Sequence, residues 1–435
     1  MLTLIKNGYV IDPASKKEGY FDLLIEEDKI IKVETDIDIK ELKAPINSED
    51  ITVIDASGKC IMPGFIDLHV HLREPGFEYK ETIGTGSRAA AAGGFTTVCP
   101  MPNTKPATDS AEMIRFILQR AKEEAVVNIL PIGAVTLGQI GKELANIKEM
   151  AEAGAIAISE DGKSVMDTKL YAEGMRQAAK YKIPVFAHCE DKSLVGNGVM
   201  NAGKKAEELG LAGISNAVED IIVARDILLA KETGVRLHLC HCSTEDSTKM
   251  IAQAKKEGLL ITGEVCPHHF TLSEEDILSD DANYKMNPPL RSAKDVKALK
   301  EALRDNIIDV ISTDHAPHSE EEKLKPFAEA PFGIVGSETA FALSLSELVK
   351  TGYLTLPQLV EKMSTNPAKI IGIKRGCIGE GWVADLVIAD TDVEYEIDKN
   401  SFFSKGKNTP FHGRKVVGRI EYTLVAGKIV YQLKQ

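Results

Sequence analysis

Over roughly the first 60 positions hydrophobic and polar residues alternate in short runs. Tyr20-Phe21-Asp22-Leu23-Leu24-Ile25 and Lys29-Ile30-Ile31-Lys32-Val33 read as strands, and Asn7-Gly8, Asp12-Pro13 and Ser57-Gly58 punctuate them as turns. The last 60 or so positions repeat the pattern, with Ala384-Asp385-Leu386-Val387-Ile388-Ala389 and the run from Tyr422 to Tyr431. Between the ends the period changes. Short apolar runs near 65–72, 95–102, 128–135, 155–159, 183–188, 235–240, 259–265 and 308–313 alternate with helical spacing over Asp109 to Glu124, Asp167 to Tyr181, Ala217 to Thr233, Thr244 to Glu257 and Ala293 to Arg304. Such alternation predicts βα units around a parallel sheet, and eight of them over roughly 300 residues fit a (β/α)8 TIM-like barrel. The expected fold is therefore α/β: a barrel over residues 63–372 and a small composite β-sandwich domain from both termini, 1–62 plus 373–435. An open doubly wound sheet is the alternative, but no Gly-x-Gly-x-x-Gly follows the first strand.

The first of the eight strands carries an unusual row. In Phe65-Ile66-Asp67-Leu68-His69-Val70-His71-Leu72-Arg73 the polar residues are two apart, so on a strand they share one face while the apolar ones share the other. Two imidazoles at i and i+2 can converge on one metal ion, which would offset the cost of burying such a face.

Composition narrows the classes. The chain is 435 residues long and 43% hydrophobic, enough for a large core, and its net charge of -13 argues against a nucleic-acid surface. The N-terminus shows no charged leader before an apolar stretch and no run reaches a membrane span, so the sequence predicts a cytoplasmic protein. Seven cysteines, an odd number without zinc-ribbon spacing, are expected to be reduced and mostly buried. In Cys240-His241-Cys242 both thiols would face away from His241 on a continuing strand. Pro317 to Pro331, with Ser319-Glu320-Glu321-Glu322-Lys323-Leu324-Lys325, has no core pattern and reads as a mobile loop with a solvated middle.

In a barrel the site lies at the C-terminal ends of the strands. His69, His71, Asn103, Asp161, His188, His241 and Asp314 all stand at or just beyond such ends. One buried histidine is commonly a satisfied core residue and one strand-end Asp a helix cap, but so many at one end of successive strands point to a shared purpose. Four imidazoles and two carboxylates are too many donors for one tetrahedral ion. They suit two ions per subunit, Zn²⁺ and also Mn²⁺ or Co²⁺, and the chemistry is metal-assisted hydrolysis.

These residues carry a resemblance. Asp67-Leu68-His69-Val70-His71-Leu72-Arg73-Glu74-Pro75-Gly76, Met101-Pro102-Asn103-Thr104, Ala187-His188-Cys189-Glu190, Asn287-Pro288-Pro289-Leu290-Arg291 and Ser312-Thr313-Asp314-His315-Ala316-Pro317-His318 resemble the dihydroorotases, class I type, of the amidohydrolase superfamily, over nearly the whole chain. The resemblance implies reversible hydrolysis of L-dihydroorotate to N-carbamoyl-L-aspartate in pyrimidine biosynthesis. It implies that His69 and His71 hold one ion and His188 and His241 the other, with Asp161 between them and Asp314 on the first ion as catalytic proton shuttle. Arg73, Asn103 and His318 would grip the substrate carboxylate, Asn287 the ring, and backbone groups of Phe332 and Gly333 would close over it. Independently, an anionic ring needs a fixed cation, and the forked guanidinium of Arg73 matches a carboxylate.

For the bridge, many amidohydrolases use a carboxylated lysine after strand 4, and Lys163 lies two residues past Asp161. Asp161 is nearer the strand end, ahead of Gly162, and is the expected bridge; Glu160 would face the opposite side. His238, His268, His269, His315 and His412 are assigned supporting roles. The resemblance also leaves room for a homodimer and for association with aspartate transcarbamoylase. The rival functions are allantoinase, dihydropyrimidinase and a non-catalytic scaffold for a transcarbamoylase; Arg73 and Asn103 speak against the first two, and the intact ligand set against the third.

Overall fold

The computed structural model describes residues 2–38 and 51–434. Met1, residues 39–50 and Gln435, parts of the expected composite domain, lie outside the described residues. The chain begins with β1 (Leu2–Asp12), β2 (Lys17–Glu26), β3 (Lys29–Glu34), β4 (Ile51–Asp55) and β5 (Cys60–Pro63). The middle contributes β6 (Phe65–Val70), β7 (Phe95–Pro100), β8 (Asn128–Ile129), β9 (Ile132–Ala134), β10 (Ala157–Ser159), β11 (Val185–Ala187), β12 (Met200–Asn201), β13 (Gly213–Ile214), β14 (Leu237–Leu239), β15 (Ile261–Val265) and β16 (Val310–Ile311). The end supplies β17 (Leu386–Glu396), β18 (Lys415–Val425) and β19 (Lys428–Gln432).

Strands from both ends join in one eight-stranded sheet, in the order β19-β18-β17-β5-β1-β2-β3 with β4 also on β1. The seam is antiparallel, Leu386 opposite Pro63 and Ala389 opposite Cys60. Lys59 reinforces it, 2.6 Å from Asp390 and 3.0 Å from Glu421. Ile5, Val10, Leu23 and Ile61 share a buried cluster with Leu386, Ile388 and Leu424, so neither end can bury its apolar face without the other.

The middle strands run parallel in two groups, β6-β7-β8 and β9-β10-β11-β14-β15-β16, while β12 and β13 pair only with each other. β8 and β9 occupy the run expected as one strand over 128–135, interrupted at Leu130-Pro131, where proline has no N–H for the ladder. The outer strands of the array meet. Val70 at the end of β6 bridges in parallel to His315 beyond β16, and the Asp67 carboxylate accepts from the Thr313 N–H at 3.1 Å and hydroxyl at 2.5 Å. All six residues of β6 are buried, so its polar row faces the interior of the array and not water. Gly64, just before it, allows this close approach: a Cβ there would sit 2.3 Å from Thr96.

Helices Ala111–Glu124, Thr168–Lys180, Ala217–Thr233, Glu245–Lys256 and Ala293–Arg304 fill the gaps where the spacing predicts them. Ser110, Asp167, Thr244 and Ser292 cap four of them by accepting an N–H of the first turn. Ile83–Ala92 is a helix that the spacing does not announce. Its Gly and Ala residues let it pack closely, and a Cβ on Gly86 would lie 2.5 Å from Leu72. Among the described residues no helix is long and apolar enough to cross a membrane. All seven cysteines are free thiols, and all but Cys60 are buried.

The segment Pro317 to Pro331 departs from its expectation. Ser319 caps a short helix, Glu320–Lys323, and Lys323 and Phe327 are buried, because the Lys323 ammonium finds three carbonyls and Phe327 a core cluster. Only part of its charged middle is solvated.

Candidate active site

The strand ends converge on a cavity of about 310 Å³ lined by His71, Arg73, Asn103, Asp161, His188, His241, Asn287, Asp314, Phe332 and Gly333, together with Glu190 and Lys192. His69 lies buried beneath it, within reach of both carboxylates. A larger cavity of about 450 Å³, beside Phe341, Tyr395 and Phe403, holds none of these residues. Where the strands stop, the backbone turns sharply. Arg73, His241 and Asp314 adopt positive φ of 62°, 35° and 47°, a left-handed conformation that disfavours side chains and that persists where surrounding structure imposes it.

His69, His71 and His188 are each aimed by a partner on the far side of the ring. The His69 Nδ1–H donates to Glu264 Oε1 at 2.8 Å, which leaves Nε2 as a bare lone pair, buried without a hydrogen-bond partner, 3.3 Å from Asp161 and 3.5 Å from Asp314. His71 is oriented by Asn103, whose Oδ1 accepts from Nδ1 at 2.9 Å while its Nδ2 donates to Asp161 at 2.9 Å. The His71 Nε2 lone pair therefore faces the Asp314 carboxylate at 3.0 Å. His188 donates through Nε2 to Glu190 at 3.1 Å and turns Nδ1 toward His241 Nε2, 2.8 Å away, and toward Asp161 at 3.5 Å. His241 Nε2 is 3.9 Å from the same Asp161 oxygen.

Lone pairs facing carboxylates repel unless positive charge lies between them. The electrostatics say the same. Burial alone would raise Asp161 and Asp314, yet the imidazoles, His69 foremost, hold both well below the usual carboxylate range. Burial would lower His69 and His188, yet the first is raised well above its ordinary value by Asp161 and Asp314, and the second is pushed up to about 9 by Asp161 and Glu190. The cluster attracts cations. His69, His71 and Asp314 offer one set of donors within 4.8 Å of one another, and His69, Asp161 and His241 another. Borderline imidazole and carboxylate donors, an unpartnered buried nitrogen and second-layer carboxylates fit divalent transition-metal ions.

At the rim the Arg73 guanidinium donates through Nε to the Pro317 carbonyl at 3.1 Å and lies 3.3 Å from His318 Nε2. Lys80 donates to His318 Nδ1 at 3.2 Å, so Nε2 carries the ring proton and donates to the Phe332 carbonyl at 2.8 Å. Burial, then Arg73 and Lys80, hold His318 well below its ordinary value and therefore neutral. The Gly333 N–H is taken by the Lys285 carbonyl at 3.0 Å, which leaves the Phe332 N–H as the amide free of these ties. Asn287 reaches the cavity and donates to Glu190 at 3.1 Å.

The structure thus brings His69, His71, Asp161, His188, His241 and Asp314 together, with Arg73 beside them; His318 does not line the cavity and stands behind Arg73, 3.3 Å from its guanidinium. Asn103 is in the cavity, but its amide is spent on His71 and Asp161, because both ends of an amide that size find partners there before they reach the rim. Lys163 is exposed and does not line the cavity. Glu160 faces away and accepts from the Val135 and Thr136 N–H groups at 3.1 Å. Sequence reasoning passed over Glu190, Glu264 and Lys80. Glu190 had a signal, two residues from His188 in the same stretch. Glu264 had a fainter one, a lone carboxylate inside the apolar strand β15, where it serves His69, His238 and the His241 N–H.

A family model described as "Dihydro-orotase-like" matches residues 58–247. The chain is 48% identical over 433 residues to a dihydroorotase of Staphylococcus epidermidis, with 99% of each chain covered, and 49% identical over 432 residues to one of Pelotomaculum thermopropionicum, again at 99% of each. Among solved structures it superposes on an L-hydantoinase (dihydropyrimidinase) from Arthrobacter aurescens with a TM-score of 0.88 at 27% identity, covering 99% of this chain and 96% of that one. A D-hydantoinase from Thermus sp. gives 0.85 at 27% identity, covering 100% and 97%.

Proposed function

The chain belongs to the dihydroorotase family, and we propose that it opens L-dihydroorotate to N-carbamoyl-L-aspartate, reversibly, at the cavity described above. It is a hydrolase acting on a cyclic amide. The observation that carries the substrate choice is the Arg73–His318 pair beside the imidazole cluster. An anionic ring requires such a cation, and hydantoin-type rings do not.

His69, His71 and Asp314 would hold one ion and His188 and His241 a second, with Asp161 between them; zinc, two ions per subunit, is the proposed identity. When bound, divalent ions supply the Lewis acidity that activates water at neutral pH and polarises a carbonyl. The rest falls to the chain. Glu264 and Glu190 keep the His69 and His188 lone pairs aimed inward. Arg73 seats the ring carboxylate, Asn287 and the Phe332–Gly333 backbone contact the ring, and His318 and Asn103 join them only by giving up their present partners, the Phe332 carbonyl for the first and His71 and Asp161 for the second. As the ring C–N bond breaks and a C–O bond forms, a carboxylate oxygen of Asp314 takes the proton of the attacking water and returns it to the departing nitrogen.

A closed (β/α)8 barrel over 63–372 is supported by the Val70–His315 bridge, and a composite domain over 1–62 plus 373–435 by the β5–β17 seam. A cytoplasmic setting accords with the class of reaction. Homodimerisation and association with aspartate transcarbamoylase rest on the resemblance alone. Ring opening should be measured with metal-replete protein on dihydroorotate, allantoin and dihydrouracil. Dihydroorotate should dominate, and equal or better turnover of an uncharged ring would return the assignment to the hydantoinases.

A further inference from the structure

The two stretches that present the carboxylate-binding groups, 316–318 and 332–335, meet directly through the Ala316 N–H, which donates to the Ile334 carbonyl at 2.8 Å, and are fastened further by a side chain distant from both in the sequence. Asn408 is 4% exposed. Its Nδ2 donates to the Ala316 carbonyl at 3.1 Å and the Gly333 carbonyl at 3.0 Å, and its Oδ1 accepts the His318 N–H at 3.0 Å. Its own carbonyl accepts from the Val335 N–H at 2.9 Å. With two carbonyls on one side and an N–H on the other, only one orientation of the amide satisfies every partner. Gly333 has φ of 127°, and a Cβ there would lie 2.7 Å from that of Ala316, so the two stretches touch at a point that admits no side chain.

Asn408 stands on the connection between β17 and β18, residues 397–414. A hairpin needs a handful of residues to turn, and a much longer connection in a compact fold usually does other work. Here it leaves the terminal sheet and docks on the parallel array: Glu338 accepts the Phe403 and Ser404 N–H groups at 2.8 and 3.0 Å, and Glu81 accepts the Ser404 hydroxyl at 2.5 Å. Its far end reaches the rim of the active site.

We propose that Asn408 is a positioning residue for recognition of the substrate carboxylate, fixing the His318 backbone and the Phe332–Gly333 stretch so that the His318 imidazole stays beside Arg73. This rests on the reading that Arg73 and His318 seat that carboxylate. Asn408 does not reach the reacting atoms, so its loss should act on binding and spare the chemical step. Asn408→Leu keeps the volume and removes the three side-chain hydrogen bonds. Asn408→Asp keeps the acceptor for the His318 N–H and opposes the two carbonyls with negative charge.

The test compares KM and kcat of metal-replete variants on dihydroorotate, kcat/KM on dihydrouracil, and calorimetric affinity for orotate, which carries the same carboxylate. Asn408→Leu should raise the dihydroorotate KM and weaken orotate about tenfold or more, with kcat and the uncharged substrate changed by less than about threefold. Asn408→Asp should fall in between, and if the leucine variant does not fold, the aspartate variant decides by a KM raised at unchanged kcat. Unchanged KM and orotate affinity, or equal losses on both substrates, would overturn the proposal. Arg73→Met separates the two levels of the argument. If it too costs both substrates equally, the carboxylate reading falls and Asn408 with it; if it is selective and Asn408→Leu is not, only the role of Asn408 falls.

Discussion

A carboxylate that only coordinates and one that also carries a proton differ by what an amide can replace. Asp314→Asn keeps an oxygen for the cluster but cannot shuttle, so turnover should fall about 10²–10⁴-fold while metal content and orotate binding stay near those of the parent. Metal analysis alongside kcat decides, and near-normal turnover at full occupancy would remove Asp314 from the proton path. The bridge yields to the same pair of measurements. Asp161→Ala should lose metal from one or both positions, since its carboxylate is the one that His69, His71, His188 and His241 all approach, within 3.3 to 3.9 Å. Lys163→Ala, at an exposed position, should retain metal and most activity. Loss of metal from the lysine variant alone would exchange their roles. The inner ring of donors was legible because strand alternation and strand ends place it. The supporting ring was not, because Glu264 and Asn408 act through contacts made across 195 and 90 residues of chain, and no local pattern announces a distant partner.

At the scale of elements, the eight parallel runs were readable because each is a short apolar stretch between polar helices. The helix Ile83–Ala92 was not, since its Gly, Ala and Ser residues give no contrast between faces, and its cap pairs Thr82 with Thr85 in place of the usual glutamate. The segment 317–331 misled for a different reason: Lys323 looks like surface charge until its ammonium is seen to meet the carbonyls of Lys285, Pro331 and Gly333 at 3.2, 3.1 and 2.9 Å. Three acceptors for three N–H donors make it the anchor of the segment. Lys323→Met should leave the Pro331 carbonyl without its donor and raise cleavage at Glu320–Glu322 by a glutamate-specific protease about tenfold, under conditions where the protein stays folded. Equal cleavage of parent and variant would place the anchoring elsewhere, with Phe327 and its N–H to Asp280 at 2.6 Å as the remaining tie.

For the whole molecule, the composition of the core bears on whether the terminal sheet and the parallel array are separate folding units. Chain order suggests two domains, and the sheet does own a cluster of its own around Leu23 and Leu386. The larger cluster ignores that boundary. Val387, Ala389 and Ile420 of the terminal strands are buried in it with Phe65, Phe95 and Phe341, where Phe65 stacks on Phe341 at 5.5 Å and meets Phe95 edge-on at 5.9 Å. β17 thus turns one face to each cluster, Leu386 and Ile388 to the sheet's own and Val387 and Ala389 to the shared one. Exposing either would expose apolar surface on the other, at about 25 cal/mol per Å², so the two should unfold together. Melting the metal-loaded protein should give one transition, coincident by far-ultraviolet dichroism, by calorimetry and by loss of activity. Phe341→Ala, which opens a cavity at the shared cluster, should lower that single midpoint in all three signals, with a loss of about 3–5 kcal/mol. If it instead split the melt, with activity lost in one step and strand signal in another, the sheet would be an autonomous unit held to the array by the chain alone.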